Sequence, residues 1–348
     1  MINFAERINA VLHHQKPDRV PFAPSDNLIP RGDFEREMRN KGMGLYAERP
    51  LYWSETPNVN TEAKRQAGSS LTVYHTPIGN ASTGTEEGKS RYMIESADDY
   101  EAVIFMVNDT VFHADYSVYS NVVRDLGTDG IVRGTGIKSP LEDIVRYVGT
   151  ANLEKEQRAH PEQFAALLEA LEQKAEELLT IVSNSPAELV SVGRIDGFQT
   201  PEQFEEYCLP FYQKYLPHLH EKGKICALDV HTSKARAFSD MIAQTGIDVA
   251  MGFMPPPVGD LPLQDALSAW GGDITIWLDF PETILLNSAE ETKEYAINLL
   301  KSIPPDNLII GLTGVKPATD EGTEHALKMG LKTILDVASV ALSPLANT

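Results

Sequence analysis

The second half of the chain alternates short apolar runs with longer stretches of helical periodicity. The apolar runs lie at residues 188–196, 224–234, 248–254, 274–279 and 308–313, and each leads into polar side chains or proline. Between them, apolar residues three and four apart predict helices over 204–219, 235–244, 263–270, 288–303 and 323–341. Strands that alternate with helices favour a parallel sheet, so the fold class is predicted to be α/β.

The first half gives weaker signals. Periodicity predicts helices over 3–14, 139–147, 152–159 and 161–182, and strands over 19–23 and 130–134. Residues 28–70 are polar and interrupted by proline, whereas 71–75 and 89–94 are predicted to form a β-hairpin with its tip at Thr83-Gly84-Thr85. We interpret this hairpin as a lid. Because no linker divides the chain, we expect a single domain over 1–348, with the N-terminal arm and lid covering about residues 1–95.

Composition excludes several function classes. The 348 residues carry a formal net charge of −20, which disfavours a nucleic-acid surface or an anionic membrane as partner. Any anionic ligand would need a local positive pocket. The only two cysteines, Cys208 and Cys226, cannot build a disulfide framework or a structural zinc cage. With no apolar run long enough to span a bilayer, we expect a soluble, cytoplasmic protein.

The polar residues that end the apolar runs are the candidate site. Along 224–234 the strand period of two places Asp229 and His231 on one face and Cys226 on the other. Comparable residues end the other runs, namely Asn27, Arg194, Asp196, Asp279 and Thr313, with Met254 before three prolines. These residues also have purely structural explanations, which the sequence leaves open. Asp229 would orient His231 or cap the next helix, and Arg194 would form a salt bridge with Asp196.

Several segments, in order and over nearly the whole chain, resemble the uroporphyrinogen decarboxylase superfamily, which also contains corrinoid-dependent methyltransferases. They are RINAVLHHQKPDRVPF, YHTPIGN, SPLEDIVRYVG, TPEQFEEYCLPFYQKYLPHLHEKGK and Gly311-Leu312-Thr313-Gly314. The resemblance implies a TIM-type (β/α)8 barrel whose site lies at the C-terminal ends of the strands. The runs that end in polar residues agree with that placement.

Two departures from the family pattern restrict the function that the resemblance implies. Thiol methyltransferases of the superfamily carry His-x-Cys and a later Cys as zinc ligands, whereas this chain has His231-Thr232-Ser233 and Thr313 or Gly314 at those positions. We therefore expect no zinc at this site and no thiol acceptor. The decarboxylases carry an Arg-rich segment after the first strand, where this chain offers Arg31 alone. Uroporphyrinogen decarboxylase activity is consequently ranked second, after methyl transfer.

The resemblance then favours the zinc-free branch that methylates tetrahydrofolate in glycine betaine demethylation. The methyl donor would be a methylated corrinoid, methylcobalamin, on a corrinoid-carrier protein, and a homodimer stays open. By hypothesis, Asp196 or Asp279 holds the pterin edge, and Asn27 or His231 lies near N5 with Asp229 as a further catalytic residue. Arg194, Met254 and Thr313 complete the expected substrate contacts, with Met254 as an apolar wall.

Overall fold

The computed structural model describes residues 2–195, 200–301, 303–312 and 320–340. Its strands are β1 (Phe22–Pro24), β2 (Leu45–Arg49), β3 (Tyr52–Glu55), β4 (Asn60–Gln66), β5 (Ser69–Thr76), β6 (Gly79–Glu86), β7 (Lys89–Arg91), β8 (Val111–Ala114), β9 (Gly130–Gly134), β10 (Leu189–Arg194), β11 (Ile225–Asp229), β12 (Val249–Phe253), β13 (Thr275–Asp279) and β14 (Leu308–Leu312). The strands predicted at 130–134, 188–196, 224–234, 248–254, 274–279 and 308–313 are confirmed, with ends that differ by a few residues.

Eight of these strands form one parallel sheet in the order β1-β14-β13-β12-β11-β10-β9-β2. The two end strands approach each other, because a parallel bridge joins Ser25 to Tyr46 and the Asp26 N–H donates to the Tyr46 carbonyl at 2.7 Å. The sheet is thus an almost closed barrel. The predicted fold class, a TIM-type α/β barrel, is confirmed.

Helices surround this barrel. They are α1 (Phe4–Leu12), α2 (Asp33–Asn40), α3 (Asp99–Asp109), α4 (Ser117–Leu126), α5 (Pro140–Val148), α6 (Leu153–Ala159), α7 (Pro161–Ser183), α8 (Pro201–Gln203), α9 (Leu209–His220), α10 (Ser239–Gln244), α11 (Leu263–Trp270), α12 (Glu282–Leu285), α13 (Ala289–Leu300) and α14 (Glu321–Val340). The helix predicted over 204–219 is confirmed, and its first residues, Phe204–Cys208, form a π turn that joins α8 to α9. Within the described ranges, no helix is both long and apolar enough to cross a membrane.

Strand alternation separates two apolar cores. Ala227 of β11 packs inside the barrel with Trp277, whereas Cys226 and Leu228 pack between the strands and the helices. The predicted faces of this strand are therefore confirmed. The N-terminal arm, α1, fills the barrel's N-terminal end, and the ring of its Phe4 lies where a Cβ on Gly44 would be, 1.6 Å away.

Periodicity does not predict one strand of the barrel, β2. Residues 28–70 show neither helical nor strand periodicity, yet they contain α2, β2, β3 and β4. Strand β2 pairs with β9 and supplies Leu45, Tyr46 and Ala47 to the core. Its apolar segment is only three residues long because Glu48 and Arg49 already belong to the mouth of the barrel, and so short a run falls below what periodicity detects.

The predicted lid hairpin is wrong in its arrangement. Strands β4 to β7 form a four-stranded antiparallel sheet, and Thr83-Gly84-Thr85 lies inside β6 rather than at a tip. Gly84, with φ +141°, pairs so closely with β5 that a Cβ would lie 2.1 Å from the Ser70 carbonyl oxygen. The three turns lie instead at Gly68, at Pro77-Ile78 and at Gly88. Both faces of β4 are exposed, so the chain shows no apolar alternation there.

Candidate functional site

Arg133 organises the carboxylates at the mouth of the barrel. Its guanidinium, with a side chain 4% exposed, donates from Nη1 to Asp229 Oδ1 at 2.6 Å and from Nη2 to Asp229 Oδ2 at 3.0 Å. Nη2 also donates to Glu48 Oε2 at 2.5 Å, and that oxygen accepts from the Tyr46 hydroxyl at 3.2 Å. A bidentate pair of this kind fixes Asp229 in one orientation. Asp229, predicted to be catalytic, is thus held by a cation.

His231 and Asp279 form a second pair at the mouth. His231 Nε2 lies 3.3 Å from Asp279 Oδ2, and the Asp279 side chain is 9% exposed. The hydrogen bond to Asp279 raises the pKa of His231 against the opposing effect of burial. The structure therefore brings together two of the residues that the sequence singled out, one from the end of β11 and one from the end of β13.

Gly252 sets the position of the His231 ring. It adopts φ +69°, and a Cβ there would lie 2.4 Å from His231 Cε1 and 2.5 Å from Nε2. The left-handed conformation alone disfavours any other residue. The ring is therefore packed directly on the backbone of β12, which restricts the directions in which it can reach a ligand.

We expect Gly252→Ala to push His231 away from Asp279. The free energy of unfolding, from urea titration, should fall by about 1–2 kcal/mol through backbone strain, and the pKa of His231, followed by NMR, should decrease. Gly271→Ala is the matched control, because Gly271 has φ +71° but its nearest neighbour is 3.9 Å from the Cβ position. An unchanged His231 pKa in Gly252→Ala would contradict this packing.

Glu142 lies in a cleft of about 600 Å³ that also reaches Asp229, Arg194 and Glu48. Its Oε1 accepts from the Arg194 backbone N–H at 3.3 Å and lies 2.2 Å from where a Cβ on Gly193 would be. Burial raises the pKa of Glu142 to about 8, which exceeds the opposing effect of the neighbouring cation Lys138. At neutral pH the carboxyl is mainly protonated and can donate a hydrogen bond.

This raised pKa predicts a pH-dependent stability. The pKa of Glu142 is higher in the folded state than in the unfolded state. Its contribution to the free energy of unfolding is therefore complete below about pH 4.5 and is lost as the pH rises towards 8, by up to about 1.4 kcal/mol per pH unit. Glu142→Gln, which mimics the protonated acid, should therefore gain stability relative to the wild type between pH 5.5 and about 8. The free energies of unfolding of both proteins would be measured by urea titration across this pH range. A constant difference between the two proteins would contradict the raised pKa of Glu142.

The remaining predicted residues have different environments. Asn27 is exposed after β1, and its Oδ1 accepts from the Ser25 hydroxyl at 2.7 Å, within its own loop. Arg194 is exposed at the cleft, and Met254 is half-buried directly after β12. Asp196 and Thr313 lie outside the described residues, so their predicted roles and the Arg194–Asp196 pair stay predictions.

Three residues of the site were not singled out from the sequence. Glu48 lies on the strand that was missed, and Arg133 was assigned to a strand without a role. Glu142 follows Ser139-Pro140 at the start of α5, where an acidic residue is typical of a capping box; here Ser139 caps Leu141 and the Glu142 carboxyl faces Gly193 instead. For Glu48 and Arg133 the only sequence signal is a charged residue in the last two positions of a barrel strand.

Neither cysteine lies at the mouth. Cys226 packs on the outer side of β11, and Cys208 is buried beside α9, where its sulfur lies 3.4 Å from the Ser139 hydroxyl. Burial raises the pKa of the Cys208 thiol to about 12, so it remains protonated at neutral pH. The described mouth therefore presents carboxyl, imidazole and guanidinium groups.

The fold and the candidate site together define the class of this protein. It is an α/β barrel whose polar groups lie at the C-terminal ends of the strands. The uroporphyrinogen decarboxylase (URO-D) family matches residues 133–312, more than half of the 348 residues. The chain belongs to this family. The matched range begins at Arg133 and contains Glu142, Asp229, His231 and Asp279.

Solved structures share the fold at low sequence identity. A methyltransferase from Methanosarcina mazei is 13% identical with a TM-score of 0.56, over 95% of this chain and 99% of that one. A B12-independent methionine synthase from Shewanella sp. W3-18-1 is 11% identical with a TM-score of 0.42, over 92% of this chain and 97% of that one. No curated protein matches the sequence. The first of these likenesses supports the barrel fold alone.

Proposed function

We propose that the protein transfers a methyl group from a methylated corrinoid to N5 of tetrahydrofolate. The donor would be methylcobalamin on a corrinoid-carrier protein, and the reaction would take place in the cytoplasm. The corrinoid supplies an electrophilic methyl carbon. In the transfer, N5 forms a bond to that carbon, the cobalt–carbon bond breaks with its electron pair left on cobalt, and the N5 proton goes to a base.

The observation that carries this proposal is the kind of side chain at the mouth. A thiol acceptor is activated as a thiolate by zinc, commonly with sulfur ligands, and both cysteines of this chain lie elsewhere. A secondary amine such as N5 is neutral and nucleophilic near pH 7 without such help. What it needs is a proton acceptor, which the His231–Asp279 pair can supply.

Each residue then has a defined task. His231, oriented by Asp279 and by its packing on Gly252, would accept the N5 proton.

Because Asp279 is engaged with His231, we favour Asp196 for the pterin edge. Protonated Glu142, which has both a donor and an acceptor oxygen, would add a second contact to the ring. Asp229, fixed by Arg133, would shape the floor of the cleft. Most of the rate would come from positioning the nucleophile in line with the cobalt–carbon bond.

The charges around the cleft favour folate over a tetrapyrrole. At its outer edge, Lys138 Nζ and Arg146 Nη2 both donate to Asp143 Oδ1, each at 2.7 Å, so two cations share one carboxylate. Both side chains are exposed enough to reach a ligand, at 41% and 66%. This local excess of one positive charge suits the short anionic tail of a folate. The many carboxylates of uroporphyrinogen would require more.

Titration with tetrahydrofolate tests the binding part of the proposal. Quenching of intrinsic fluorescence should saturate at one site, and Arg146→Gln should weaken binding of tetrahydrofolate more than that of a pterin without the glutamate tail. The control is Arg158→Gln, since Arg158 is a solvent-exposed arginine paired with Glu154 on α6. Consumption of uroporphyrinogen with no added cofactor, together with no folate binding, would establish the decarboxylase alternative instead.

A further inference from the structure

Three potential metal ligands meet at the opposite end of the barrel from His231 and Asp279. His220 is the last residue of α9, Cys226 is the second residue of β11, and Asp248 immediately precedes β12. Their ligand atoms all lie within 4.8 Å of one another. The spacing along the chain, 220, 226 and 248, resembles no metal motif, so only the fold reveals the cluster.

The three side chains are already held in place. Asp248 Oδ2 accepts the Cys226 backbone N–H at 2.7 Å and lies 2.9 Å from His220 Nε2. Zinc bonds of about 2.3 Å to sulfur and about 2.0–2.2 Å to nitrogen or oxygen place tetrahedral ligand atoms roughly 3.3–3.7 Å apart. The most widely separated donors would therefore need to approach by about 1 Å around an ion, and the His220 and Asp248 atoms would need to separate by about 0.5 Å.

The two cysteines alone predict no structural zinc cage, but we propose that Cys226 forms, with His220 and Asp248, a site for a zinc-class transition metal. The mixed nitrogen, sulfur and oxygen donors suit zinc or cobalt and disfavour magnesium and calcium, which take oxygen ligands. Cys226 is fully buried, whereas the His220 and Asp248 side chains are 37% and 34% exposed. The ion would thus enter from the solvent side, with water in its fourth position.

The site would stabilise the barrel rather than take part in methyl transfer. It would tie the end of α9 to β11 and β12 at the end where α1 fills the barrel. Burial raises the pKa of the Cys226 thiol, so binding must release the thiol proton to solvent, and affinity should increase with pH. The competing explanation is an ordinary His–Asp hydrogen bond beside a core thiol.

Cobalt titration of the full-length, chelator-treated protein distinguishes the two explanations. We expect a thiolate-to-cobalt charge-transfer band that saturates at one ion per chain. Cys226→Ser should abolish the band, whereas Cys208→Ser, which changes the other buried cysteine, should retain it. No band in the wild-type protein, or a band that survives Cys226→Ser, would overturn the proposal.

A second measurement does not depend on altering a buried residue. Zinc should raise the melting temperature of the wild-type protein and of His218→Gln, whose histidine is exposed on the same helix. His220→Gln should lose that shift, with zinc affinity reduced at least tenfold. Equal zinc shifts in all three proteins would also overturn the proposal. Neither experiment uses tetrahydrofolate or a corrinoid, so its outcome is independent of the proposed methyl transfer.

Discussion

His231→Ala is expected to lower the rate of tetrahydrofolate methylation about 100-fold or more, the loss typical of removing a general base. The imidazole is the group that would take the N5 proton, and Asp279 and Gly252 fix its position. Tetrahydrofolate binding should change little, because the proton transfer contributes to the transition state and not to the bound substrate. Stopped-flow measurement of cobalamin absorbance under saturating substrates gives the rate directly.

Asp279→Asn adds a pH signature to the same prediction. Only the neutral imidazole can accept a proton, so the rate should rise with pH through the pKa of His231. Since the hydrogen bond to Asp279 is the main cause of its raised pKa, the asparagine variant should show this rise at lower pH. His113→Ala is a control, as His113 lies on β8 and pairs with Glu55 of β3. A His231→Ala protein with the wild-type rate would contradict the role of His231.

Arg133→Met is expected to cost the largest amount of stability, about 3 kcal/mol or more. The change removes the one cation that contacts both Asp229 and Glu48 in the structure described and leaves the 19%-exposed Asp229 without its ion pair. Urea unfolding measures the loss. Arg133→Lys should be intermediate, because a lysine keeps the charge but cannot bind Asp229 through two nitrogens.

Two comparisons separate this pair from an ordinary surface ion pair. Arg236→Met breaks the contact between Arg236 and Asp265, whose side chains are 55% and 52% exposed, and should cost well under about 1 kcal/mol. The double variant Arg133→Met/Asp229→Leu should recover part of the lost stability, since it removes the uncompensated charge. A loss below about 1 kcal/mol in Arg133→Met would show that Asp229 needs no partner.

The sequence predicts the barrel well where strands are buried on both faces. Strands β9 to β14 each give an apolar run that ends in a polar or small residue, and all were located. Periodicity does not predict β2, because only three of its residues are apolar, or β4, because it is exposed along its whole length. Hydrophobic periodicity reflects which residues are buried, so it does not predict a strand that is exposed on both faces.

The sequence predicts which polar residues lie at the strand ends but not how they pair. Strand ends identify Asp229, His231 and Asp279, since the carboxyl ends of parallel strands meet at one edge. The partners depend on how strands 96 residues apart lie in register, as for Arg133 and Asp229, and no local pattern encodes that. Glu142 occupies a position where an acidic residue is typical of a helix N-terminus, so the sequence indicates no functional role for it. Its raised pKa results from burial, which depends on the tertiary fold.

The most direct test of the account is a competition between methyl acceptors. The purified protein would be given methylcobalamin with tetrahydrofolate or with a thiol such as homocysteine or coenzyme M, and demethylation of the corrinoid would be followed spectroscopically. We predict that tetrahydrofolate is methylated, that the thiols are not, and that His231→Ala loses the reaction. Methylation of a thiol in preference to tetrahydrofolate would contradict the claim that this barrel serves an acceptor needing no metal activation.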